Sequence, residues 1–259
     1  MAEDFAVLVL SCDKYADLWP SFFQRFRQSF PSGRWPVYVG SNTKICDEPG
    51  VVTILSGDDP DWSTSCKRIL SQIPERKLFV ILEDLFAASP ADEKLLSTAI
   101  EFLFAADAKH IRYWLGIELD GPTSHADIGF FDRGAPYRAT VCGFWDREYL
   151  MNLLLEGENP WNFEILGSYR TSYVDGFYGL RRPLFEPRNL VEKGCWIPES
   201  VAWAREHGVE LDLDKRPMLV GGRHLISRLQ MAYFRTMMRV PWRKRVSAMN
   251  MLRKLLISY

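Results

Sequence analysis

Two adjacent carboxylates, Glu83 and Asp84, close the apolar run LFVIL, a run of the kind that forms a buried strand. Charged oxygens at the end of such a strand cost free energy unless a metal, a ribose or a basic partner takes them. The structural alternative has one of the pair capping the next turn and the other facing solvent. A second apolar run, FAVLVL, is followed by Ser11-Cys12-Asp13-Lys14-Tyr15, which offers hydroxyl, carboxylate and ammonium groups. Ligands of open parallel sheets bind at the carboxyl ends of the strands, and both clusters occupy such ends. Neither G-x-G-x-x-G nor G-x-x-x-x-G-K-[ST] occurs, so the dinucleotide fingerprint and the P-loop are excluded.

A third cluster runs from Glu156 through Glu158, Trp161 and Glu164 to Arg170. Pro160 can open a helix there, and acids near a helix start are also favoured by its dipole. Trp62 and Ser63 begin another helical stretch, whose first N–H groups suit an anion, and Arg68 follows about two turns on. His110, His125, His207 and His224 form no H-x-x-x-H pair. The five cysteines are odd in number, scattered and never spaced as C-x-x-C, which predicts free thiols in a reducing compartment.

The elements that must position these residues alternate in kind. Strands are expected at Phe5–Leu10, Val37–Val39, Val51–Leu55 and Leu78–Leu82. Helices are expected at Asp17–Phe30 behind an Asp17 cap, at Trp62–Ile73 and at Asp92–Ala106. Such alternation predicts an α/β fold, a mostly parallel sheet with helices on both faces. Further on, Ile111–Gly116 and Ala139–Phe144 read as strands and Asp146–Leu155 as a helix. From Gly157 to Gly194 glycine, proline and aromatics dominate without a clean period, the pattern of loops that build a site.

The chain has 259 residues, 47% of them apolar and 25% charged, with 32 basic against 33 acidic groups. That is the composition of a globular protein rather than a disordered or collagenous one. Apolar runs reach about six residues, far below the ~20 needed to cross a bilayer, and the acidic start MAEDF is no secretory leader. A cytoplasmic chain is expected. The charge is unevenly placed: the last 37 residues, Arg223 to Tyr259, contain nine Lys or Arg and no Asp or Glu. Leu225, Leu229, Tyr233, Met237 and Val240 recur at helical spacing there, among Arg228, Arg235, Arg239, Arg243, Lys244 and Arg245, and Pro241-Trp242 divides the stretch into two helices. The chain is thus divided into a domain over 1–215 and basic amphipathic helices over 216–259. Such helices bind anionic membrane surfaces; the structural alternative is a hairpin whose arginines pair acids of the main body. No base-reading module accompanies the charge, so nucleic acid is not an expected partner.

SCDKYADLW, DWSTSCKRIL, LFVILEDLF, GENPWNFEILGSYR and VEKGCW occur in that order. Together they resemble a family of bacterial glycosyltransferase-like proteins found in capsule and O-antigen gene clusters, over roughly residues 5 to 200. The resemblance implies a GT-A-type fold and transfer of a sugar from an activated, nucleotide-linked donor to a polysaccharide or lipid-linked acceptor. It implies donor contacts from Ser11, Asp13, Lys14, Trp62, Ser63, Arg68, Glu83, Asp84 and Arg170, the last facing either the leaving diphosphate or Glu164. Glu83-Asp84 takes the place of the D-x-D motif that holds a divalent Mn or Mg ion. The pair is adjacent rather than separated, and neighbours on a strand face opposite ways, so Asp84 alone is expected at the ligand unless a turn intervenes. For an inverting reaction Glu164 is the expected base and Glu158 the runner-up, with Trp161 a flat face for the acceptor sugar. The tail then holds the enzyme at the inner membrane. Rival readings are a non-catalytic component of a polysaccharide assembly complex, kept open by the altered D-x-D, and a nucleotide-sugar hydrolase or nucleotidyltransferase.

Overall fold

Phe5–Leu10 forms strand β1, and all six residues are buried. Alternation sends Phe5, Val7 and Val9 into one apolar core and Ala6, Leu8 and Leu10 into a second, on the other face of the sheet. The computed structural model describes residues 4–31, 33–113, 118–219, 232–233 and 235–256. Beside β1 lie β2 (Val37–Ser41), β3 (Val51–Leu55) and β4 (Lys77–Leu82), all parallel to it. After the short β5 (Leu85–Ala87), the sheet is completed by β6 (His110–Arg112), β7 (Gly121–Pro122), β8 (Ile128–Phe130), β9 (Gly143–Asp146) and β10 (Phe177–Leu180). Among the described residues it has nine strands in the order β3-β2-β1-β4-β9-β6-β10-β8-β7. Only β9 and β8 run against the others. The expected mostly parallel α/β sheet is therefore present.

Helices cover both faces. On one side pack α1 (Trp19–Ser29) and α3 (Glu93–Ala105), on the other α2 (Trp62–Leu70) and α4 (Arg147–Leu153). Asp61, Asp92 and Asp146 each precede a helix and accept the backbone N–H three residues on, a local cap readable from sequence. Asp17 is not such a cap: a 3₁₀ turn, Asp13–Leu18, precedes α1, and the Asp17 carboxylate pairs Arg216 instead. The helix expected to reach Ile73 ends at Leu70. The strand expected from Ala139 begins only at Gly143, because Val141 N–H goes to Glu164 rather than to a neighbouring strand. Gly143 lets β9 approach β6 closely: it has φ +144°, and a Cβ there would stand 2.5 Å from His110 Cε1 and 2.8 Å from the Ile111 oxygen.

The stretch expected as loops holds more order. It contains α5 (Pro160–Asn162), a π-turn (Phe163–Gly167) and α6 (Ser168–Arg170) in unbroken succession. Beyond β10, β11 (Pro187–Asn189) pairs with β5, and β12 (Val191–Glu192) pairs with β13 (Cys195–Trp196). After α7 (Pro198–Glu206), the chain returns along Trp196, whose N–H donates to the Pro217 oxygen at 2.9 Å. The last helix, α8 (Trp242–Leu256), starts just past Pro241, where a break was expected. One basic residue of the tail does not face solvent: Arg245 is 1% exposed and pairs with Asp120. The tail is thus docked on the main body at that point. His224, Leu225, Arg228 and Leu229 lie outside the described residues, as does Trp114. The five cysteines are free, as expected. Among the described residues no helix is long and apolar enough to cross a membrane.

Candidate active site at the carboxyl ends of the strands

β4 stops at Leu82, and residues 83 and 84 form a turn. A turn does intervene, so the strand alternation that would send one carboxylate away ends before it reaches them. Both are drawn into one electrostatic group. Burial first, then the neighbouring Asp84 charge, pushes the Glu83 carboxyl well above the usual range, against a hydrogen bond from Ser11 and the positive charge of Arg216. Burial likewise raises Asp84 to about 6, with its own backbone N–H and Arg216 opposing. Ser11 comes from the end of β1 and also accepts Trp19 Nε1–H at 2.9 Å. Burial and then these two carboxylates push the Tyr15 phenol up to about 12.

Arg216 is the cation of this group. Its Nη2 donates to Asp17 Oδ1 at 2.8 Å and to the Lys14 oxygen at 3.0 Å, and the guanidinium lies 4.7 Å from the Tyr15 ring and 5.0 Å from the Trp196 ring. Held between two aromatic faces and a carboxylate, it is fixed rather than swinging freely.

Glu164 sits in the π-turn and accepts Val141 N–H at 3.0 Å through Oε1. Burial raises its carboxyl, while that hydrogen bond and the Arg112 charge hold it down. Arg112 ends β6 and is itself lowered to about 10 by burial, with Glu164 the largest opposing influence. Cys142 joins the two halves: its thiol hydrogen-bonds at Leu82, and burial, then Glu164, Asp84 and Glu83 push it well above its usual value. The buried Tyr113 phenol responds to Cys142, Arg112, Asp84 and Glu164 together. Carboxylates from the turn after β4 and from the π-turn, far apart in sequence, therefore act on the same two groups, Cys142 and Tyr113.

The other expected donor residues have partners within the protein or stand at its surface. The Asp13 carboxylate turns to the end of β2 and the loop after it, accepting from Ser41 Oγ at 2.8 Å, Thr43 Oγ1 at 2.6 Å and the N–H groups of Asn42, Thr43 and Lys44. Lys14 is exposed. At the start of α2 two N–H groups already have partners: Ser63 N–H donates to the Glu158 oxygen and Thr64 N–H to Asp61. Ser63 is buried, its hydroxyl bonded to Asp61 and to the 155–158 turn. Arg68 donates to the Ser56 and Asp58 oxygens, bracing the loop before α2. Trp62 packs on Phe163 at 5.6 Å between ring centres. Arg170 pairs Glu158, at 2.6 Å, rather than Glu164. Trp161 stands outward, 58% exposed.

Arg112, Arg216, Tyr113 and Cys142 were not anticipated. Arg112 had a signal, a charge inside the expected strand Ile111–Gly116, and the structure puts it at the end of β6. Arg216 had none, because its partner Asp17 is 199 residues away.

A divalent ion fits the Glu83-Asp84 turn in part. Two desolvated carboxylates side by side favour a dication, and Mg²⁺ commonly takes one or two carboxylates plus substrate phosphates. Among the described residues no group of three or more His, Cys, Asp and Glu forms a complete cage. An apolar cavity of about 30 Å³ near Phe5 and Phe30, and an open cleft of about 440 Å³ between Phe102 and Tyr178, share no residue with these carboxylates.

No known protein-family profile matches the chain, and no curated protein matches it. Among solved structures, S. aureus TarS residues 1–349 in complex with UDP-GlcNAc is similar over 68% of this chain and 58% of that one, with 10% identity and a TM-score of 0.44. The chain thus spans less than two thirds of that structure. UTP-bound UGPase from Acinetobacter baumannii is similar over 88% of this chain and 99% of that one, with 10% identity and a TM-score of 0.48. Likenesses this distant assign neither ligand nor activity to this chain.

Proposed function

We propose that this protein is a glycosyltransferase that moves a sugar from a nucleotide-linked donor to a polysaccharide or lipid-linked acceptor of surface glycan synthesis. The observation that carries the reading is that Asp84 and Glu164 both act electrostatically on Cys142, bonded at the end of β4, and on Tyr113, just past β6, with Glu83 acting on Cys142 as well. Arg216 and Arg112 supply fixed positive charge beside those carboxylates, suited to a diphosphate. Asp84, with Glu83 next to it, would hold a divalent ion, whose chemistry is to neutralise the diphosphate. Glu164 acts as the base of an inverting transfer. It takes the acceptor hydroxyl's proton as that oxygen bonds to the anomeric carbon and the nucleoside diphosphate leaves with the bonding pair. The basic tail brings the protein to an anionic membrane surface.

A thermal-shift panel of UDP, GDP, CMP and dTDP ligands and their sugars, with and without Mn²⁺ or Mg²⁺, tests the site. A ligand at 100 times its Kd stabilises the fold by ~2.7 kcal/mol. One nucleotide class should shift the wild type and not Asp84→Ala. Absence of any shift would favour the non-catalytic reading, which the Arg216 charge already acting on the carboxylate pair keeps open. Turnover that needs only water as acceptor would instead indicate a hydrolase.

A further inference from the structure

The stretch 160–170 has two unlike sides. Phe163, Gly167 and Ser168 are buried, and Glu164 reaches inward to Val141. On the opposite side Trp161, Ile165, Leu166 and Tyr169 are exposed by 58%, 49%, 47% and 43%, and Tyr173 beyond them by 56%. Trp161, Ile165 and Tyr169 recur every four residues along this stretch, which places them on one side, and Tyr173 stands in the turn that follows it. Scattered exposed apolar residues are ordinary, but a continuous row marks an interaction surface.

The row does not stop at Tyr173. The Tyr173 hydroxyl donates to Asn250 Oδ1 at 2.7 Å, which joins it to α8, and the next residue there, Met251, is 60% exposed. That helix brings charge of one sign. Arg243 and Lys244 are exposed, and Arg223 to Tyr259 contains no acidic residue. Arg245, turned in to Asp120, takes no part.

We propose that the Trp161–Tyr173 row and α8 form a single face that docks on an anionic lipid bilayer. Indole, phenol and aliphatic groups enter the headgroup region, where amphipathic rings are favoured, while Arg243 and Lys244 meet the lipid phosphates. Charge complementarity selects the lipid: an apolar row bordered by unopposed cations matches a surface that is apolar beneath and anionic above. The docking does not depend on the donor chemistry. One consequence rests on the transferase reading: Glu164 lies across the same helix from the row. It would stand about 10 Å, one helix diameter, from the surface that carries a lipid-linked acceptor.

Co-sedimentation of the full chain with vesicles of phosphatidylcholine, alone or mixed with phosphatidylglycerol, tests this. Binding is expected only to the anionic vesicles and should weaken with salt. The combined variant Trp161→Ser, Ile165→Ser, Tyr169→Ser should bind at least tenfold more weakly at an unchanged melting temperature. As a second measurement, brominated lipid should quench the part of the fluorescence that Trp161→Phe removes. Equal binding to neutral vesicles, unweakened binding of the serine variant, or no quenching would overturn the proposal. Thermal shifts with nucleotides on the same proteins keep the two readings separate. Vesicle binding without any donor response would sink only the transferase, and donor response without vesicle binding only the docking face.

Discussion

Arg170 donates to both oxygens of Glu158, Nη1 to Oε1 at 2.6 Å and Nη2 to Oε2 at 2.9 Å, and Nη2 also reaches the Leu153 oxygen at 2.7 Å. The Glu158 side chain is 8% exposed, so removing the guanidinium leaves a buried charge without its partner. Arg170→Ala should therefore destabilise the fold by about 3 kcal/mol while leaving donor affinity nearly unchanged. Urea denaturation and donor titration check the two halves. A variant of wild-type stability that had lost donor binding would return Arg170 to the diphosphate.

Glu164→Gln keeps an oxygen for the Val141 N–H but cannot take a proton. Turnover should fall by about 10²–10⁴-fold, with the donor-induced thermal shift retained. In the wild type the carboxyl is raised by burial, so it stays protonated to higher pH than a free glutamate. A base must be deprotonated, so the rate should rise with pH through that raised value and fall below it. The limb should vanish in Glu164→Gln; its persistence would assign it to another group.

Arg216→Gln removes the charge beside Glu83 and Asp84 and the stacking on Tyr15 and Trp196. Affinity for an anionic donor should drop at least about tenfold, which corresponds to about 1.4 kcal/mol. Arg216→Lys should recover only part, since an ammonium keeps the charge but not the planar fork. Calorimetric titration of the three proteins decides it. Equal affinities would take Arg216 out of the site.

Asp13 is a stability residue in this structure. Burial works to raise its carboxyl, but hydrogen bonds from Thr43, Lys44 and Ser41 outweigh it and hold the carboxyl well below the usual range. A depressed folded-state value stabilises above the unfolded pKa, roughly 3.9, and that contribution is lost as pH falls through the lower one. Asp13→Ala should cost about 1–3 kcal/mol at neutral pH, the scale of hydrogen bonds to a charged group. It should also flatten the acid side of the stability–pH curve. Melting temperatures from pH 2 to 7 would show both, within the range where the ordinary aspartate titrates.

Much of this protein is written in short-range pattern. The FAVLVL and LFVIL runs became β1 and β4 because a continuous apolar stretch of that length is satisfied only between two covered faces. Asp61, Asp92 and Asp146 became caps because the partner N–H lies three residues away, whatever the rest of the chain does. The free thiols and the basic tail were legible from counting alone. The resemblance, too, pointed to strand-end carboxylates that the structure does place at strand ends.

The pairing of charges was decided only by tertiary structure. Whether Arg170 meets Glu158 or Glu164 depends on a π-turn that swings Glu164 toward Arg112, and residue spacing does not encode that extra bond in the turn. Whether strand alternation reaches Glu83 and Asp84 depends on where β4 stops, which β5 and its partner β11, about a hundred residues later, help to set. Arg216 reaches Asp17 across 199 residues, and Arg245 reaches Asp120 across 125. A strand or a cap is a contest among neighbours along the chain, settled by local geometry and burial. A charge pair is a contest among all groups that the fold brings within a few ångströms, and only the folded chain defines that set.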